Sequence, residues 1–190
     1  NVRARLLNGG DVWWDLSMGQ YIVPKVDPAL GVPGVSCLFA GAVWLGGFDD
    51  AGNLKIAAQT YRDQTHNDFW PGPLSSIGTT GADTCLNWDR FFIVKGVNIR
   101  QHIAAFKESV SQGIPFNCDD VSEDLLKYPA RGNPHWSRFY SFDLPNDNQG
   151  LGPFFGANSD NKYDPCDGDY PAIEVKGFPQ ESNFPDGIVF

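Results

Sequence analysis

The chain has 190 residues and a mass of 20.9 kDa, enough for one domain with a sizeable buried core. An apolar fraction of 42% against 19% charged residues excludes a disordered tail or a coiled coil, and a net charge of −9 disfavours nucleic acid or an anionic membrane as partner. The acids are 19 Asp and only 4 Glu, with 21 Gly and 14 Pro beside them, so turns, caps and oxygen-rich loops are favoured over long helices.

In chain order, Asp11-Val-Trp-Trp-Asp-Leu and Gln20-Tyr-Ile-Val-Pro24 read as two short strands around a Ser-Met-Gly turn. Ala29 to Phe48 carries no charge over the length of a membrane span, but it contains Pro33 and five glycines. Only Cys37–Leu45 is densely apolar, which predicts a buried strand ended by Gly46-Gly47 and no membrane insertion. Asp49-Asp-Ala-Gly-Asn53 predicts a hairpin turn, with Leu54–Tyr61 as the return strand. Residues Gln64 to Asp83 predict a long surface loop, and Trp88 to Val94 a further strand.

The period then changes. Ile99, Ile103, Phe106 and Val110 fall on one face of a helix from Asn98, as N-cap, to Gln112, with Gly113 as the stop. Asp120-x-x-Glu123 predicts a capping box that opens a shorter helix ending near Tyr128, before Pro129. From Pro129 onward the chain is mostly loop, and Gly187-Ile-Val-Phe190 reads as the beginning of a strand. The expected fold class is mainly β: a β-sandwich-like or open antiparallel sheet with one or two short helices and long loops. Residues 1–190 are read as a single module, with 150–190 as a loop-rich acidic annex.

Cys37, Cys85, Cys118 and Cys166 are dispersed, without a Cys-x-x-Cys pair, and their even number fits two disulfides in an oxidising compartment. Three pairings are open. Cys37–Cys85 with Cys118–Cys166 is preferred, closing two loops of equal length worth about 4 kcal/mol each.

No catalytic residues are assigned. His66, His102 and His135 are scattered, and neither a His-Glu-x-x-His nor a Gly-x-Ser-x-Gly string occurs. His102, beside the apolar helix face, reads as a packed or rim residue. His66 shares a loop with Asp63, Asp68 and Trp70, so His66, Asp68 and Trp70 form a candidate ligand-contact site, against the alternative of a solvated loop. Among the six tryptophans, Trp44 and Trp88 lie in apolar strings and are expected in the core; Trp70, in a Pro-Gly-Pro loop, can be either wedged or displayed.

The most specific feature is acidic. Residues 156–167 can be set on the twelve-residue calcium loop, placing Gly156, Asn158, Asp160, the Lys162 carbonyl, Asp164 and Asp167 at ligand positions, with Asp169 nearby. Asn161 takes the sixth position, which requires a left-handed residue. Gly156 brings no side-chain oxygen. Calcium is therefore the candidate cofactor, and an ion-free loop of Asx turns is the alternative.

Several strings together resemble a known family. Leu7-Asn-Gly-Gly-Asp-Val-Trp-Trp-Asp15, Phe39-Ala-Gly-Ala-Val-Trp-Leu-Gly-Gly47, Leu54-Lys-Ile-Ala-Ala-Gln-Thr-Tyr-Arg62, Asp68-Phe-Trp-Pro-Gly-Pro73, Trp88-Asp-Arg90, Tyr128-Pro-Ala-Arg-Gly-Asn133 and Asp167-Gly-Asp-Tyr-Pro171 resemble, in order, the N-terminal region of large secreted surface proteins of the Bacteroidota. Such proteins often end in a type IX secretion sorting domain, which these residues do not contain; the resemblance implies a longer natural chain. It also implies an extracellular or cell-surface location, with other domains of the same chain, or a surface glycan or protein, as partners. Family members commonly carry Asp-x-Asn-x-Asp-Gly in the acidic loop, where this chain has Gly156 for the first Asp and Asn161 for the Gly. The expected function is a non-catalytic module for adhesion, surface assembly or scaffolding; the alternative is a carbohydrate-active domain that binds or hydrolyses glycans.

Overall fold

A computed structural model describes residues 1–32, 34–59, 68–145, 151–172 and 186–190. The described residues hold eleven short strands, all paired antiparallel in small sheets, and three helices, so the chain is mainly β in its elements. No helix among them is long and apolar enough to cross a membrane. They fall into two compact units, Asn1–Pro71 and Gly72–Phe190.

In the first unit, β1 (Arg3–Ala4), β3 (Tyr21–Ile22) and β4 (Ser36–Leu38) form a three-stranded sheet in the order β1-β3-β4, and β2 (Asp11–Val12) pairs with β5 (Gly41–Ala42). Asp15 builds the intervening turn by accepting from the backbone of Ser17 and Met18, as Asx chemistry at that position dictates. β6 (Trp44–Phe48) and β7 (Leu54–Ala58) form the hairpin, with Phe48 opposite Leu54 and Trp44 opposite Ala58. The turn closes where the sequence places it, Asp49 Oδ1 accepting from Ala51 and Asn53.

Two expectations fail here. Gly46-Gly47 do not end the strand; they lie within β6, which runs on to Phe48. The apolar run is also exposed rather than buried, with Leu45, Phe48, Leu54 and Ile56 open to solvent and Trp44 at 70% exposure. Directly paired residues share a face, so Trp44, Phe48, Leu54 and Ile56 form one apolar stripe with solvent over it.

In the second unit, α1 (Ala82–Trp88) occupies residues expected as the end of a loop and the start of a strand. The strand expected from Trp88 is confined to β8 (Ile93–Lys95), which pairs with β11 (Gly187–Val189). α2 (Gly96–Gln112) ends at Gly113, whose φ of 67° lets its N–H reach back to the Ser109 and Val110 carbonyls. Its start differs from the expectation: Lys95 is the N-cap and Asn98 lies inside the helix. Asp124 on α3 (Glu123–Leu126) holds this end, accepting from the Lys95 N–H at 2.9 Å and from Asn98 Nδ2. α3 is capped by Ser122, so the Asp120-x-x-Glu123 box does not form; Asp120 belongs to a preceding 3-10 turn, Cys118–Asp120.

The buried face of α2 carries Ile99, His102 and Ser109, with Ile103 and Phe106 half-buried, while Val110 is 63% exposed. The main core gathers Ile99 with Val94, Val121, Leu125, Leu126, Tyr128 and Ile188. Tyr163 and Tyr170 complete it from the acidic segment, where β9 (Phe154–Phe155) pairs with β10 (Tyr170–Pro171). A second cluster stacks Trp88 on Trp136 at 6.0 Å between ring centroids, with Phe92, Tyr140 and Phe142 around them. Trp88 is thus core, as expected, though from a helix.

Candidate functional site

The acidic segment is organised by its own side chains. Asn158 Oδ1 accepts from the Asp160 N–H and Asp160 Oδ1 from the Lys162 N–H, successive Asx turns that place Ser159 and Asn161 at φ 60° and 61°. Asn161 is thus left-handed, as the sixth position of a calcium loop requires. The next residue inward, Tyr163, is fully buried. Its N–H donates to the Arg131 carbonyl at 2.7 Å and its hydroxyl to the Leu125 carbonyl at 2.9 Å, tying the segment to the core. Burial pushes the Tyr163 hydroxyl well above its ordinary pKa, so it remains a donor.

Asp164 then caps a 3-10 turn, Pro165–Asp167, by accepting from the Cys166 N–H at 2.9 Å. Gly168 follows at φ 96°, and a Cβ there would run into the Phe106 ring, so both conformation and space require glycine. Asp169, buried, accepts from the Ala157 N–H at 2.7 Å and the Asp164 N–H at 2.8 Å, drawing both ends of the loop together. Burial raises its carboxyl pKa, the two N–H groups oppose that, and the nearby Asp160 and Asp167 charges add to it. Asp160, Asp164, Asp167 and Asp169 therefore share one neighbourhood. The Asn158, Asp160 and Asp169 oxygens there already accept from backbone, and an ion would share them.

Beside Asp164 lies the sulfur chemistry. Cys118 and Cys166 are joined in a disulfide, as the preferred pairing has it. Cys37 and Cys85 are not: both are free thiols. Cys37 is exposed on β4 of the first unit, its thiol donating to the Val23 carbonyl, and Cys85 lies on α1 of the second. The four-cysteine, two-bridge expectation is corrected to one bridge. His135 Nε2 lies 3.2 Å from Cys166 Sγ and 3.1 Å from Asp164 Oδ1. Its backbone is held by Asn133, which accepts from the His135 N–H while its amide donates to the Leu126 and Tyr128 carbonyls.

No protein family, characterised protein or solved structure matches the chain.

The site is therefore read from its own geometry. His102 is buried, its Nε2 3.0 Å from the Asp169 carbonyl and its Nδ1 without a hydrogen-bond partner among the described residues; it packs against Phe106 and Phe116. Of the ligand-contact residues, Trp70 is displayed, at 63% exposure. Asp68 accepts from the Ala58 N–H at 2.8 Å, fastening its loop to β7, and His66 lies outside the described residues. Sequence reasoning missed His135 as a neighbour of Cys166. No spacing rule connects residue 135 to residues 164 and 166, so the sequence held no signal for the contact.

Proposed function

We propose that the chain is a non-catalytic extracellular or cell-surface module of a larger secreted protein, serving adhesion, surface assembly or scaffolding. The observation that supports it best is the apolar stripe of Trp44, Phe48, Leu54 and Ile56 on a two-stranded ribbon. An isolated hairpin is marginal in water, and a contiguous exposed apolar surface of this kind marks contact with another protein surface. The partner this reading assigns is another domain of the same longer chain, in keeping with the resemblance to Bacteroidota surface proteins. The Cys118–Cys166 bridge fits an oxidising location.

An antibody raised against the chain should label intact cells that make it, and external protease should remove the signal. Label found only after lysis, in the cytoplasmic fraction, overturns the location and the function with it.

Calcium belongs to the same reading. Support comes from the left-handed Asn161 and the Asp160 and Asp167 charges acting on Asp169, with a dissociation constant expected at about 10⁻⁴–10⁻³ M, the weak extracellular range. Calorimetry on the oxidised protein should show that binding, and Asp160→Ala should abolish it. No heat and no change in melting up to about 10 mM, above that range, assigns the loop to Asx turns alone.

A carbohydrate-binding role is the second reading, favoured by the exposed indole of Trp70, since such faces stack on sugar rings. A glycan array separates the two: a reproducible sugar ligand lost in Trp70→Ala favours the second.

A further inference from the structure

The cluster beside the acidic loop has a composition that neither calcium nor adhesion uses. Cys118 Sγ, Cys166 Sγ and His135 Nε2 lie within 4.8 Å of one another, all three residues are half-buried, and Asp164 Oδ1 is 3.1 Å from the same imidazole nitrogen. Two thiolates and an imidazole form a borderline-soft donor set, which selects zinc over calcium or magnesium. We propose that opening the Cys118–Cys166 bond converts this cluster into a zinc site formed by Cys118, His135 and Cys166, with water in the fourth position.

The separations carry the proposal. With zinc–sulfur bonds of about 2.3 Å and zinc–nitrogen or zinc–oxygen bonds of about 2.0–2.1 Å, neighbouring ligand atoms in a tetrahedron stand about 3.3–3.6 Å apart. The histidine nitrogen is already near that from Cys166 Sγ, at 3.2 Å, while Asp164 Oδ1, 3.1 Å from the same nitrogen, is a hydrogen-bond partner outside the ligand group. The two sulfurs, now bonded, must part to about 3.8 Å. Disulfide and metal therefore exclude one another.

The supporting frame is also present. Asn133 fixes the His135 backbone, and the Cys166 N–H donates to Asp164 Oδ1, capping the 3-10 turn that carries Cys166. Held from behind in this way, His135 keeps its place while the sulfurs part. The site belongs to the reduced chain and does not depend on where the protein resides. Cys166 lies within the calcium loop, so the two ions are tested in opposite oxidation states.

A phosphine donates two electrons to the disulfide and leaves as its oxide with the oxygen of water, whose two protons go to the sulfurs. Zinc then displaces both thiol protons to solvent.

The test uses the full chain carrying Cys37→Ser and Cys85→Ser, so that only the cluster thiols remain. After anaerobic reduction by a phosphine and its removal, the protein is titrated with cobalt and the cobalt then displaced by zinc. One equivalent of cobalt with thiolate-to-metal charge transfer and tetrahedral ligand-field bands is expected in reduced protein, with none in oxidised protein. His135→Ala should weaken binding at least tenfold. Cobalt spectra without thiolate bands, or a His135→Ala variant that binds as tightly as the parent, overturn the proposal. If reduction unfolds the chain, recovery of the native circular dichroism on adding one equivalent of zinc supports it, and failure to recover overturns it.

Discussion

Asp124 shows how one carboxylate can decide where a helix begins. The chain offers Asn98 as a cap, yet Asp124 accepts from the Lys95 N–H, Asn98 Nδ2 and Ser122 Oγ together, fixing the N-cap residue and the Asn98 side chain from a neighbouring element. Asp124→Ala should cost about 1–3 kcal/mol, the range for a charged group holding a helix N-terminus, and Asp124→Asn less, both read from urea unfolding. His102 acts in the opposite sense, through burial of a titratable ring. Burial lowers its pKa from 6.5, and the hydrogen bond to the Asp169 carbonyl only partly opposes that. The unfolded chain then takes up a proton at a higher pH than the folded one. The contribution of His102 is present above 6.5 and is lost as pH falls through the depressed folded value. The urea midpoint should therefore fall between pH about 7.5 and about 5, and fall less in His102→Gln.

At the level of elements, the acidic segment is held by three kinds of tether: the Tyr163 hydroxyl on Leu125, the Asp169 carboxylate on both ends of the loop, and the Cys118–Cys166 bridge. The bridge closes a loop with a sequence separation of 48, worth about 4 kcal/mol through the entropy it removes from the unfolded chain. Cys118→Ala with Cys166→Ala should lose about that much in urea unfolding. Loss of less than about 1 kcal/mol would mean that the other two tethers already hold the segment in the denatured ensemble. Thiol labelling reports the same arrangement: the native protein should react at Cys37 and, more slowly, at half-buried Cys85, and at Cys118 and Cys166 only after reduction.

For the molecule as a whole, apolar side chains are divided between a core and a surface that solvent covers. Trp88 and Trp136, 6% and 3% exposed, fill the second unit's aromatic cluster, whereas Trp44, Phe48 and Ile56 stand in water. Trp88→Ala should cost about 3–5 kcal/mol through the cavity it leaves. Phe48→Ser with Ile56→Thr should change stability by no more than about 1 kcal/mol, as exposed substitutions do, and should lower binding of a hydrophobic dye. A loss near that of Trp88→Ala would show the stripe to be covered in solution, by a second copy if sedimentation finds a dimer.

The sequence alone determined the local chemistry. Asp49 to Asn53 could only turn, Gly113 could only stop a helix, and Asn161 was the one residue in its loop placed to go left-handed at the sixth position. It also carried the Cys118–Cys166 pairing as a preference and the apolar period of α2. The turn, the helix stop, the left-handed residue and the helical period depend on φ/ψ freedom and on neighbours a few residues away, which composition and spacing encode directly. Tertiary structure decided the rest. Val110 continues the period of Ile99 and Ile103 yet stays exposed, while Ser109 beside it is buried: which side of the last turn is covered is set by the neighbouring elements and not by the period. Trp44 and Trp88 are both expected in the core, and only the presence or absence of an opposing surface makes one exposed and the other core. His135 reaches Cys166 and Asp164 because Tyr163 fastens its segment to Arg131 and Leu125, a contact between distant residues that no local pattern specifies.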